Sequence, residues 1–184
     1  MRDLSLHILD LAENSVRAGA GLVEIGIDVT ENKRITLTLR DNGCGMSREM
    51  LERVTSPFTT SRTTRKVGLG IPLMMQNARL TGGDVTLESE PGKGTCLTAV
   101  LDGNSIDCLP LGDIAGTVLS LVTANPEKPD FVLTCSSPLG SMDFDTRAVR
   151  QALGDVPLNE PEITAWMKES MQEEIEPIFG GVIL

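Results

Sequence analysis

Residues 41–46 read DNGCGM and follow an alternating stretch, RITLTLR, at 34–40. An apolar/polar alternation marks a strand. Here the strand ends on an aspartate and enters a turn holding two glycines. Asp-Asn-Gly is ordinary hairpin chemistry. It is also what the floor of a nucleotide pocket needs: a carboxylate on backbone stripped of side chains. The flanking sequence decides between the two.

Upstream, LSLHILDLAENSVRAGA (4–20) places Leu4, Ile8, Leu11 and Val16 near helical period, and AGAG ends the helix. His7, Asp10, Asn14 and Arg17 recur at spacings of 3, 4 and 3, so they share one stripe of that helix. LVEIGIDVT (22–30) alternates as a strand, ENK turns the chain, and ITLTLRD alternates back, which predicts a hairpin. Downstream, SREMLERVT (47–55) is a short helix with Ser47 as N-cap and Met50 and Leu51 inward. SPFTTSRTTRKVGLG (56–70) has no period and reads as a loop. IPLMMQNARLTGG (71–83) is a helix with Pro72 early, and DVTLESE, PGKG and TCLTAVLD (84–102) form a second hairpin.

The order is more specific than any single piece. ENSVRAGA resembles the N box, and DNGCGM the first glycine box, of the ATP-binding domain shared by gyrases, ninety-kilodalton chaperones, histidine kinases and MutL-type mismatch-repair ATPases, the GHKL superfamily. SPFTTSR resembles its F box, VGLGIPLM its second glycine box, and ESEPGKGT its closing hairpin. The likeness covers roughly residues 4–102. It implies a two-layer α/β sandwich, a mixed sheet with helices on one face, and ATP with magnesium between the layers.

It also implies roles for particular residues. Asp41 would accept a hydrogen bond from the adenine amino group, since a carboxylate is acceptor-only. Gly43 and Gly45 would let backbone pass close to the base. Met46 would pack on the ring, and Thr95 would complete the base contacts directly or through water. Asn14 would give magnesium an amide oxygen. Arg17 would reach a phosphate. Gly68, Leu69 and Gly70 would open a helix whose N-terminal N–H groups hold phosphate oxygens. Arg62, Arg65 and Lys66 would form a short phosphate-covering lid. Asp10 stands where hydrolytic relatives carry Glu, one methylene shorter, as the base for an attacking water. His7, the one histidine, reads as a polar residue near the pocket rim rather than a phosphoacceptor. Trp166 and the pair Met74–Met75 read as packing residues.

Charge divides the 184-residue chain. Residues 1–102 carry 12 Lys and Arg against 13 Asp and Glu, whereas residues 103–184 carry 4 against 13. The shift places a boundary near Asp102 and leaves an acidic C-terminal extension, read as a small α+β addition. DIAGTVLSLVTAN (113–125), TRAVRQALG (146–154) and EPEITAWMKESMQEEIEPI (160–178) are predicted helices, and DFVLTCSS (130–137) and SMDFDT (141–146) short strands. A net charge of −10 argues against a general nucleic-acid binder. The absence of a long apolar run argues against a membrane span, and the acidic N-terminus lacks a signal-peptide pattern, so the expected location is the cytoplasm. Four scattered cysteines without a CxxC pair read as reduced thiols.

Three functions fit the likeness. The first is a regulatory kinase that phosphorylates a partner protein in trans. The second is an ATP-switched protein-binding module with slow hydrolysis. The third, a MutL-type DNA-repair ATPase, is weakened by the acidic tail.

Overall fold

The computed structural model describes residues 2–55 and 69–180. Helix α1 spans Leu4–Arg17, capped by Asp3, whose carboxylate accepts from Leu6 N–H. Strands β1 (Leu22–Val29) and β2 (Arg34–Asp41) pair as the expected antiparallel hairpin. Helices α2 (Arg48–Thr55) and α3 (Gly70–Leu80) precede a second hairpin, β3 (Asp84–Glu90) and β4 (Gly94–Asp102). Then come α4 (Ile114–Ala124), β5 (Asp130–Ser137), β6 (Gly140–Asp145), α5 (Thr146–Leu153) and α6 (Pro161–Phe179).

The six strands form one mixed sheet in the order β3-β4-β2-β1-β5-β6. Every pairing is antiparallel except β1 with β5, which is parallel. Side chains alternate across a strand, so one face can be buried while the other stays wet. Val23, Ile25, Ile27 and Val29 of β1 all face the helices, whereas Glu24 and Asp28 point away. Ile35, Leu37 and Leu39 of β2 continue the buried row, with Asp41 at its end. The expected sheet with helices on one face is what forms.

Residues 103–180 join this architecture. β5 and β6 extend the same sheet, and α4 and α6 pack together over it. One core runs through both stretches, from Leu4 to Phe179. The change of composition at Asp102 therefore has no counterpart in the sheet or the core. The linker after β4 also reaches α1. Leu4 N–H donates to the Pro110 carbonyl (2.9 Å) and Ser5 N–H to the Leu111 carbonyl (2.8 Å), satisfying two donors that a helix start leaves free.

Three side chains sit differently from the sequence expectation. Met50 is exposed, and Val54 is the buried residue of α2. Trp166 is 53% exposed. The inward stripe of α6 runs through Met167 and Met171, and Trp166 lies one residue, about 100°, round the helix from it. His7 lies not at a rim but inside, 3% exposed, with Nε2 3.5 Å from Asn77 Nδ2 on α3.

Burial pushes the His7 pKa below the usual 6.5. The unfolded chain therefore binds a proton near pH 6.5 that the folded chain refuses. The resulting stabilisation is fully present above 6.5 and fades as pH falls through it toward the lower folded value. No other side chain of this sequence has an ordinary pKa in that window. We expect the urea midpoint to fall between about pH 7.5 and 5.5, and His7→Leu to flatten that decline. An equal slope in the variant would assign the dependence to other groups.

Candidate functional site

The row at the end of the sheet decides the site. Asp41 of β2 pairs with Thr95 of β4, which pairs with Ser89 of β3. Asp41 is only 8% exposed. Its two oxygens are held separately: Oδ2 accepts from Ser15 Oγ at 2.6 Å, and Oδ1 from Gly43 N–H at 2.9 Å. The first bond ties β2 to α1, and the second closes the turn after the strand. A buried carboxylate costs several kcal/mol unless such donors compensate, and charge-assisted bonds supply about 1.5–3 kcal/mol each.

The glycine turn then folds against the second hairpin. Gly45 has φ +67°, and a Cβ there would collide with the Glu90 carbonyl. Gly94 has φ +106°, and a Cβ there would collide with the Asp41 carbonyl. Both positions exclude ordinary side chains twice over, by conformation and by space. Gly92 N–H donates to the Cys44 carbonyl (2.8 Å), and Met46 N–H to Ser89 Oγ (2.8 Å). Turn and hairpin are thereby locked in contact. A side chain at Gly43 would press on Ala18, at 2.9 Å.

A cavity of about 230 Å³ opens between α1, this turn and the sheet. Leu11, Leu39, Ile71, Leu87 and Leu97 give it apolar walls, and Met46 and Met50 reach it from the turn and α2. Asp41, Thr95, Asn14 and Arg17 supply the polar lining. An apolar slot with a few convergent polar groups is the general form of a small-molecule site.

Asn14 lies one turn before the end of α1. Its Nδ2 is buried without a partner among the described residues, and its Oδ1 is 3.4 Å from Arg17 Nη1. Arg17 forms an ion pair with Glu13 at 2.8 Å on the exposed side of α1. Asp10 is half-buried and absent from the cavity lining. It stands at the seam with α3, where a Cβ on Gly70 would come within 3.2 Å of its own Cβ. Leu69 is the N-cap residue of α3, with a side chain 68% exposed. Arg62, Lys66 and Gly68 lie outside the described residues.

The structure thus brings Asn14, Arg17, Asp41, Gly45, Met46 and Thr95 around one cavity, with Gly43 bonded to Asp41, and with Asp10 and Gly70 in contact with each other outside the lining. Two residues escaped the sequence reading. Ser15 is polar on the buried face of α1, a detectable oddity, but its partner lies 26 residues away. Ser89 sits in a strand whose alternation hides it.

A family model described as histidine kinase-, DNA gyrase B- and HSP90-like ATPase matches residues 2–105. Sporulation kinase D of Bacillus subtilis strain 168 is 33% identical over 96 residues, covering 51% of this chain and 19% of that protein. Sensor protein kinase FleS of Pseudomonas aeruginosa is 35% identical over 95 residues, covering 51% of this chain and 23% of that protein. The chain spans about a fifth of the length of these two relatives. A crystal structure of the N terminal domain of a DNA repair protein superposes with a TM-score of 0.52 at 15% identity. It covers 79% of this chain and 52% of that one, and the likeness is one of fold.

Removing the Ser15 hydroxyl leaves a buried carboxylate oxygen short of a donor. Ser15→Ala is expected to cost about 1–3 kcal/mol of stability, read as a lower denaturant midpoint at unchanged slope. An unchanged midpoint would show that water replaces the hydroxyl at no cost.

Proposed function

We propose that this chain, which belongs to the histidine kinase-, DNA gyrase B- and HSP90-like ATPase family, binds ATP with magnesium in the cavity above Asp41 and acts as a regulatory kinase on a partner protein. One observation carries the nucleotide reading: a buried carboxylate, fixed by Ser15 and Gly43, in the lining of an apolar slot. Such a group accepts from an exocyclic amino group and opposes a ring carbonyl, so it favours adenine over guanine. The apolar walls suit a flat base. The buried Asn14 Nδ2, without a partner among the described residues, fits a ligand that accepts a hydrogen bond.

Among the described residues no three His, Cys, Asp or Glu side chains converge as a metal cage. Magnesium would be held by the Asn14 amide oxygen together with phosphate and water oxygens, the donor set a hard cation of this size prefers. Bound there, the ion would neutralise phosphate charge. Arg17 would leave Glu13 to meet a phosphate, a small loss, since an exposed i,i+4 pair contributes only a few tenths of a kcal/mol. Gly70 sets the start of α3, and its free N–H groups, against α1. Asp10, at that seam, is the residue we assign to activating water.

The kinase role rests on likeness to sporulation kinase D and FleS. A second reading, an ATP-switched binding module, has its own support. The helix that carries Asn14 is bonded at its start to the linker of the extension, so a shift of α1 on binding would be felt there.

Labelled ATP incubated with the protein and a cell lysate separates the two. Label on a partner protein supports the kinase, and phosphate release without a phosphoprotein supports the switch. Asp41→Asn sets an amide donor against the adenine N–H and is expected to weaken ATP binding about tenfold or more by calorimetry. Equal affinity of the wild type for ATP and GTP would remove the pocket assignment. Intrinsic turnover is expected well below about 10 s⁻¹. Asp10→Asn should lower it about 10²-fold or more while ATP affinity holds. Turnover that survives Asp10→Ala would move the base elsewhere, with Glu13 next in line.

A further inference from the structure

Ser89 makes three contacts with one hydroxyl. Its Oγ lies 2.8 Å from Met46 N, 2.9 Å from the Gly94 carbonyl oxygen and 2.9 Å from Thr95 Oγ1. A serine hydroxyl has one proton and two lone pairs. The Met46 N–H can only donate, so it takes one lone pair. The Gly94 carbonyl can only accept, so it takes the proton. That leaves one lone pair, and the contact with Thr95 is a hydrogen bond only when Thr95 donates. One proton arrangement therefore satisfies all three contacts, and in it the Thr95 proton points at Ser89.

The consequence falls on the cavity. With its proton committed, Thr95 Oγ1 shows lone pairs to the site. Its neighbour across the strands is Asp41, also acceptor-only. We infer that Ser89 is a positioning residue for base recognition: by holding the Thr95 proton away from the cavity, it makes the base end accept-only and rejects bases that present a carbonyl there. A water that donates to Thr95 has its second proton free for a ring nitrogen acceptor, which fits an aminopurine. A 6-oxo purine instead sets its carbonyl against two acceptors. This inference rests on the nucleotide reading above and adds to it a source of discrimination one residue removed from the ligand.

Without Ser89 the Thr95 hydroxyl is free to turn and donate into the cavity, where it would meet a carbonyl well. The test compares ATP with inosine triphosphate, its 6-oxo counterpart, by calorimetry or competition. The readout is the ratio of the two affinities, which does not depend on the fraction of folded protein. Ser89→Ala should lower the preference for ATP about fivefold or more. Ser89→Thr, which keeps the hydroxyl, should retain the wild-type ratio. In a Thr95→Val background, Ser89→Ala should leave the ratio unchanged, because no hydroxyl remains to be redirected.

A serine that merely braces the Met46 turn would weaken both nucleotides alike. An unchanged ratio in Ser89→Ala, with wild-type protein still preferring ATP, therefore overturns the role of Ser89 and leaves the pocket standing. A ratio that still falls in the Thr95→Val background also overturns it. Wild-type protein that binds neither nucleotide overturns the pocket reading itself, and this inference with it.

Discussion

The bond from Ser15 to Asp41 holds this molecule's site together. It is short, buried and joins the two layers: a helix residue donates to a carboxylate at the end of a central strand. A carboxylate in that place would be ruinous if left bare. Held by a hydroxyl and a backbone N–H, it becomes a fixed acceptor in an apolar wall. The alternation of β2 delivers it to the helical side, because Asp41 continues the parity of Ile35, Leu37 and Leu39. One residue of register slip would send it to the solvent face.

What surrounds that acceptor follows from its depth. The turn after Asp41 must pass under the second hairpin, and there is room only for backbone. Gly45 faces the Glu90 carbonyl and Gly94 faces the Asp41 carbonyl, so the turn and the second hairpin each supply a glycine where the other comes closest. Ser89 then ties turn, hairpin and Thr95 into one rigid unit. The polar end of the cavity is thus preorganised: its acceptors are oriented by bonds among themselves, and a ligand need not arrange them.

Much of this was legible in order and spacing. The two hairpins, the helix carrying Asn14 and the aspartate at the strand end could all be read from local pattern. What could not be read was contact across sequence distance. Ser15 reaches Asp41 over 26 residues and Met46 reaches Ser89 over 43. Ser15 stands out as a polar residue on the buried face of α1, but nothing local names its partner, and Ser89 looks like any strand serine. The same limit hid the parallel pairing of β5 with β1, since nothing in DFVLTCSS names its neighbour. Trp166 misled for a different reason. On a helix with an apolar stripe at every fourth residue, the position beside the stripe looks much like the stripe itself.

The family match stops at residue 105, but the sheet and the core do not. The carbonyls that accept from Leu4 and Ser5 belong to Pro110 and Leu111, a few residues past that limit. The far edge of β1 is covered by β5, further on still. A chain cut where the resemblance ends would free the first amides of α1 and expose an unpaired edge beside the strand that begins the sheet. The matched stretch and the packed core therefore have different borders along this polypeptide. The acidic segment is, in physical terms, part of the wall on which the matched motif leans.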